Sequence, residues 1–151
     1  MCRLKPKCVA LLFALAFLGP AAAGGATETQ QETVMTRIQV IAGDKVLAAT
    51  LDDTPAGRDF ASMLPLDLTL TDYHGIEKVA DLPRELNTTG SPASYAPKTG
   101  DITLYAPWGN LAIFYKPFQS SRGLVRLGEF DGPLDALIKD APVPIRIEAA
   151  D

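Results

Sequence analysis

The stretch Gly100-Asp101-Ile102-Thr103-Leu104-Tyr105-Ala106-Pro107-Trp108-Gly109-Asn110-Leu111-Ala112-Ile113-Phe114-Tyr115 predicts the central β-hairpin of a closed β-structure. Pro107 suits the first corner of a type I turn, and Gly109 suits the left-handed position that follows it. A three-residue loop of this kind pairs Ile102 with Phe114. We therefore predict a core face made of Ile102, Leu104, Ala112 and Phe114. The opposite, mixed face is predicted to line a covered surface or a cleft.

The first 23 residues have the pattern of a secretory signal peptide. Three basic residues lie within 1–7, an apolar run follows over 8–18, and small residues precede Gly24. The apolar run is short for a membrane span. We therefore predict cleavage near Gly24, a flexible tether over 24–35 and one domain over 36–148, located in the periplasm or secreted. Retention of the first segment as a membrane anchor is the alternative.

Cleavage at this point leaves an acidic domain without cysteine. Cys2 and Cys8 both precede the cut, as do three of the 14 Lys and Arg residues, so the formal net charge changes from −4 to −7. A negative domain repels nucleic acid, whose phosphates need a basic surface. Without thiols, neither disulfides nor cysteine metal sites can form. We expect no nucleic-acid partner, metal or cofactor, and no membrane contact after cleavage.

Short alternating strands follow one another along the rest of the chain. A hairpin around Gly43-Asp44 is predicted to pair Ala42 with Lys45. Further strands are predicted over 66–71, 76–82, 124–128 and 143–147. Closely spaced strands from one end of the domain to the other favour a mainly β fold, a closed antiparallel barrel.

Two short helices are predicted to cap this barrel. Thr54 can cap the first with its hydroxyl, Pro55 suits its first position, and Pro65 ends it. The apolar residues of this helix fall on one side at helical spacing. The second helix is predicted over 133–138, with Leu134, Leu137 and Ile138 facing inward.

Aromatic side chains near the central hairpin and the long loop 83–97 are the candidate ligand-binding residues. A tryptophan in a turn, here Trp108, either packs against a neighbour or contacts a partner. Tyr95, Tyr105 and Tyr115, with Phe118, are predicted to form an aromatic wall near it. Ordinary packing of the barrel is the alternative for this set.

Charged residues give weaker signals. Arg84, Arg122 and Arg126 are candidate donors to a ligand, and nothing in the sequence distinguishes among them. The only histidine, His74, lies in a predicted turn without a recognisable nucleophile motif, so a solvent-facing role is favoured over general-base catalysis. A hydrolase is accordingly the least favoured class. Glu77-Lys78 is compatible with a buried ion pair or with simple exposure.

A set of short motifs runs through the predicted domain: Asp53-Thr54 with Phe60, Leu64-Pro65-Leu66, Asp72 with Gly75, Glu77-Lys78, Gly100-Asp101-Ile102 with Tyr105, Pro107, Gly109-Asn110, Phe114-Tyr115 and Leu127-Gly128. Their order and spacing resemble the bacterial cyclophilin-like domain family over 36–148. The resemblance implies a closed cyclophilin-type barrel of about eight strands with helices at its ends.

The resemblance does not imply the activity of true cyclophilins. Their Phe-His-Arg segment, glutamine-rich stretch and further histidine cannot be placed in this sequence. We therefore predict a binding module for a small molecule or an extended peptide. The alternative is a peptidyl-prolyl cis-trans isomerase with a non-standard site, which needs an apolar proline pocket and an arginine donor.

Overall fold

The structure is a computed structural model that describes residues 24–25 and 34–151. The predicted signal peptide and most of the predicted tether lie outside the described residues. Among the helices that are described, none is long and apolar enough to cross a membrane.

Ten strands, one α-helix and one 3₁₀ helix make up the described domain. The strands are β1 (Thr36–Ala42), β2 (Lys45–Leu51), β3 (Leu66–Tyr73), β4 (Glu77–Asp81), β5 (Ser94–Tyr95), β6 (Asp101–Tyr105), β7 (Asn110–Phe114), β8 (Ser121–Arg122), β9 (Leu124–Phe130) and β10 (Val143–Ala149). The helices are α1 (Pro55–Ser62) and the 3₁₀ helix η1 (Asp135–Leu137).

Eight of these strands close into a barrel in the order β1-β10-β3-β4-β7-β6-β9-β2. Every neighbouring pair is antiparallel. The predicted mainly β fold and closed eight-stranded barrel are therefore confirmed. Strands β5 and β8 form a separate two-stranded sheet between two of the connecting loops. Closure leaves none of the eight barrel strands as an exposed edge.

The hairpin β1–β2 has the predicted register. Ala42 lies opposite Lys45, and Gly43 has the positive φ of +61° that its turn requires. The inward face is buried throughout, from Ile38 on β1 to Leu51 on β2. This agreement follows from a turn of only two residues, which leaves one way to pair the strands.

The central hairpin β6–β7 differs from its prediction by one residue. Tyr105 pairs with Asn110 and Ile102 with Ile113, so the loop has four residues rather than three. The carbonyl of Tyr105 accepts from the N–H groups of both Trp108 (3.2 Å) and Gly109 (2.9 Å), which draws one more residue into the turn.

This shift reverses the faces of β7, because side chains alternate along a strand. The residues that face the barrel core with Ile102 and Leu104 are Leu111 and Ile113. Ala112 and Phe114, predicted in the core, instead lie in a second cluster on the outside of the barrel, with Leu124. The predicted position of Phe114 opposite Ile102 is therefore wrong.

The first helix forms as predicted, and the second only in part. The Thr54 hydroxyl accepts from the N–H of Gly57 at 3.0 Å, and Phe60 is fully buried. The second element is a 3₁₀ helix of three residues, at which Leu137 is buried as expected. Ile138 is 44% exposed, against the prediction, because its backbone leaves helical geometry and turns the side chain outward.

The barrel core should be more sensitive to truncation at Leu111 than at Ile138. Leu111→Ala removes buried methyl groups from a fully enclosed side chain and should lower the free energy of unfolding by about 2–5 kcal/mol. Ile138→Ala deletes a similar volume at the surface and should cost about 1 kcal/mol or less. Urea unfolding of both variants measures the difference. Equal costs would contradict the observed register.

Candidate ligand-binding cleft

A cleft of about 420 Å³ lies on the outer face of the barrel, above β7. The outward residues of β7, Asn110, Ala112 and Phe114, supply part of its floor. Ala112 is the small residue at the centre of this row, so the floor is lowest between two larger side chains. The complete lining is Tyr73, Glu77, Tyr105, Trp108, Asn110, Ala112, Phe114, Phe118, Ser121, Arg122 and Leu124.

Three aromatic rings stand along this cleft in an unbroken row. The ring of Trp108 lies 5.8 Å from that of Tyr73 and 5.2 Å from that of Tyr105, at interplanar angles of 86° and 84°. Such edge-to-face contacts hold rings in a defined geometry. Trp108 is nevertheless 59% exposed, so it contacts both neighbours and still presents most of its area to solvent.

A side pocket of about 290 Å³ continues the cleft toward the β3–β4 turn. It shares Tyr73, Glu77, Phe114 and Phe118 with the cleft. Its further lining residues are His74, which has a φ of +53°, and Ile76. Apart from His74 and Glu77, the pocket is walled by apolar and aromatic side chains.

Glu77 is the acidic residue that lines both the cleft and the side pocket. Its carboxylate receives no hydrogen bond or ion pair from the part of the chain that the structure describes. Burial therefore raises its pKa above the usual 4.5, without a cation to offset the loss of water. Glu77 lies opposite Tyr73 on β3 and opposite Phe114 on β7. An acceptor of this kind favours a ligand that carries a proton donor or a positive charge.

Asn110 supplies a second unpaired acceptor. Its side chain is only 6% exposed, and no donor among the described residues reaches its Oδ1. Buried amide oxygens in proteins are nearly always hydrogen-bonded, and this one is enclosed by the protein, so an ordered water is suited to pair with it.

The three candidate arginines are in three different environments. Arg122 lines the cleft, and its guanidinium forms no ion pair within residues 34–151. Arg84 is held by Asp59 on the exposed side of α1, at 2.8 Å. Arg126 lies 3.0 Å from Asp52 and 3.1 Å from Glu129, beside a separate pocket of about 320 Å³. Only Arg122 therefore joins the aromatic residues of the cleft.

The structure does not bring Tyr95 and Tyr115 into this cleft. Tyr95 lines the pocket of Arg126 and donates through its hydroxyl to Asp101 Oδ2 at 2.6 Å. Burial, with the Asp101 carboxylate, raises the pKa of Tyr95 to about 12. Asp101 is itself buried and also accepts from the N–H of Lys98, so this pair ties the long loop to the barrel.

Tyr115 belongs to a network at the end of β3 and β4. It donates to Asp72 Oδ1 at 2.6 Å, and the same oxygen lies 3.2 Å from Lys78 Nζ. Lys78 is 2% exposed and also donates to the carbonyl of Lys139 at 2.6 Å. The buried ion pair considered for Glu77-Lys78 thus forms between Lys78 and Asp72.

Sequence reasoning identified Tyr105, Trp108, Phe118 and Arg122 but missed Tyr73, Glu77 and Phe114 as lining residues. The missed residues are brought together by pairing across β3, β4 and β7. The short turn at His74-Gly75 was a usable signal, because it places Tyr73 opposite Glu77. Without the hairpin register, the sequence could not show that Phe114 lies outside the barrel core.

The described residues contain no group of three or more His, Cys, Asp and Glu side chains positioned to hold a metal ion. Asp72, which is close to His74 and Glu77 in the sequence, is engaged by Tyr115, Lys78 and the N–H of Gly75. The cleft therefore offers aromatic area, a carboxylate and a guanidinium as its recognition groups.

Comparison with known proteins agrees with this architecture. The model of the cyclophilin-like family matches residues 40–148, which is most of the chain. The chain belongs to the cyclophilin-like family. Among curated proteins, none matches the sequence.

A solved structure shares the fold of this cyclophilin-like domain. It is the solution structure of the hypothetical protein AF2241 from Archaeoglobus fulgidus, which superposes with a TM-score of 0.56 at 16% identity. The match covers 80% of this chain and 99% of the archaeal one. At this level of identity the likeness concerns the fold alone.

Removal of the Tyr95 hydroxyl should change how the free energy of unfolding depends on pH in the alkaline range. An unfolded tyrosine ionises near pH 10, but Tyr95 in the folded protein ionises at about 12. The unfolded state therefore loses this proton first, and the stabilisation falls as pH rises from about 10 to about 12. The difference in unfolding free energy between wild type and Tyr95→Phe should shrink over that interval. A difference independent of pH would contradict the assignment.

Proposed function

We propose that this cyclophilin-like domain is an exported binding module whose outer-face cleft takes an extended peptide. The observation that carries the proposal is a cleft with three adjoining aromatic rings and one carboxylate, that of Glu77, for which the described protein supplies no donor. Ligand sites commonly combine apolar walls with a few polar groups left free to fix orientation.

The length of the cleft favours a peptide over a compact small molecule. Glu77 pairs with Phe114, so Glu77 and Asn110 lie at opposite ends of the row from Asn110 to Phe114 that lines the cleft. Four residues of strand separate these ends by about 13 Å. An extended peptide of about four residues spans the same distance, whereas a small ring system contacts only one end.

Trp108 is the only tryptophan of the chain, which makes its fluorescence a direct report on the cleft. Mixed tetrapeptides without tryptophan should change its emission in a saturable way. Tyr105→Ala removes an edge-to-face neighbour of Trp108 and should weaken the binding. Substitution of Arg84, which lies outside the cleft, should leave it unchanged. Emission that does not respond to any peptide mixture would contradict the proposal.

Prolyl isomerisation is the second candidate function, and Arg122 is the observation in its favour. An arginine beside an aromatic-walled cleft can donate to the amide nitrogen of a twisting prolyl bond. The barrier to that rotation is about 20 kcal/mol, and binding both isomers equally well does not lower it. Because the Phe-His-Arg segment is missing, we favour binding without efficient catalysis.

A proline-peptide isomerisation assay separates the two functions. We expect a rate close to the uncatalysed one for wild type, Arg122→Ala and Arg84→Ala alike. Catalysis that is lost in Arg122→Ala but kept in Arg84→Ala and Arg126→Ala would establish the isomerase instead. Catalysis that persists in all three variants would show that the donor is not one of these arginines. It would also overturn the proposal of binding without catalysis.

Export rests on the order of basic, apolar and small residues in the first 23 positions. We propose that the mature protein begins near Gly24 and resides in the periplasm or outside the cell. Amino-terminal sequencing of the protein from periplasmic and secreted fractions measures this directly. Recovery of the chain with Met1 intact in the membrane fraction would support the retained anchor.

A further inference from the structure

The carboxylate of Glu77 lies at the end of the cleft that adjoins the side pocket. Its own hairpin holds another carboxylate, Asp72, but that group is already bound by Tyr115 and Lys78. No cation of the described protein does the same for Glu77. A partly buried carboxylate among apolar side chains is unfavourable unless a proton or a cation compensates it. The site is therefore electrostatically incomplete.

Aromatic rings surround this carboxylate. Tyr73 and Phe114 are its direct partners on the two neighbouring strands, and such pairs have Cβ atoms about 5 Å apart. The ring of Tyr73 in turn contacts that of Trp108. A cation within about 6 Å of a ring face is attracted by its quadrupole. A group placed beside Glu77 thus meets a negative charge and aromatic faces together.

The positive groups of the region lie elsewhere. Arg122 lines the cleft but not the side pocket, and the carbonyl of the next residue, Gly123, accepts from Ala106 at the tip of the central hairpin. Lys78 follows Glu77 in β4 and points to the opposite, buried face. His74 is the other titratable side chain of the side pocket. The cleft is therefore negative at the Glu77 end and positive near the hairpin tip.

We propose that the Glu77 end of the cleft binds the ammonium group of a lysine side chain in an extended peptide. The inference rests on the proposed function and specifies its ligand. Carboxylate, tyrosine and phenylalanine together match an alkylammonium group: the methylene chain contacts the rings, and the charge meets Glu77. At the other end, Arg122 donates to a peptide carbonyl. The negative charge of the domain favours a basic partner over an acidic one.

The test uses the full chain and three tetrapeptide mixtures without tryptophan. Each mixture is defined by one residue, which is lysine, norleucine or glutamate. Within a mixture, that residue occupies each of the four peptide positions in turn. Norleucine keeps the alkyl chain of lysine without its charge. Trp108 fluorescence reports binding in wild type, in Glu77→Gln and in the matched control Glu85→Gln, whose side chain is exposed on the loop after β4.

We expect the lysine mixture to bind wild type and Glu85→Gln about tenfold more tightly than the norleucine mixture. Glu77→Gln should bind the two mixtures within about twofold of each other, with its norleucine affinity unchanged. That last value shows that the variant is folded and that its cleft is intact.

Two outcomes with the wild-type protein overturn the inference while the proposed function stands. One is equal binding of lysine and norleucine by wild type, and the other is a preference for the glutamate mixture, which would assign recognition to Arg122. A lysine preference that persists in Glu77→Gln also overturns the inference, because another residue would then recognise the ammonium charge. If no mixture changes the emission of Trp108, both the inference and the proposed function fail.

Discussion

The cleft depends on one constraint, the register of the hairpin β6–β7. Tyr105 accepts from two successive N–H groups of the turn, so four residues lie in the loop and Asn110 begins the return strand. Alternation along β7 then sends Leu111 and Ile113 into the barrel and leaves Ala112 and Phe114 outside. With the opposite register, Ala112 and Phe114 would fill the core, and the cleft would lose its floor.

Two buried charges anchor the surroundings of this floor. Asp101 accepts from the Tyr95 hydroxyl and the Lys98 N–H, which fixes the long loop against β6. Lys78 joins Asp72 and the carbonyl of Lys139, which closes the end of the barrel near β10. Both charges are compensated by several partners, as buried charges in proteins generally must be. Glu77 differs from them because no hydrogen-bond donor or cation among the described residues reaches its carboxylate.

The sequence predicted part of the candidate site. It identified lining residues that are close together in the chain and missed those that strand pairing brings together. Trp108 was identified because a large aromatic residue in a turn is a local anomaly, and Tyr105 and Phe118 because they are near it in sequence. Tyr73 and Glu77 reach the cleft through pairing of β3, β4 and β7. Tyr95 and Tyr115 looked equivalent to Tyr105 in the sequence. In the structure each lies outside the cleft and donates a hydrogen bond to a carboxylate. Nothing in the local sequence distinguishes these partners.

The sequence by itself determined the elements whose causes are local. Alternation of apolar residues specified the strands, the two-residue turn specified the register of β1–β2, and Thr54-Pro55 specified the start of α1. Together these implied a closed antiparallel barrel. Only the tertiary structure decided which face of β7 is the core, because both faces carry apolar residues and either burial satisfies the hydrophobic effect. It also showed which of the three arginines has no carboxylate partner within residues 34–151, since ion pairs such as Arg84 with Asp59 join residues far apart in the chain.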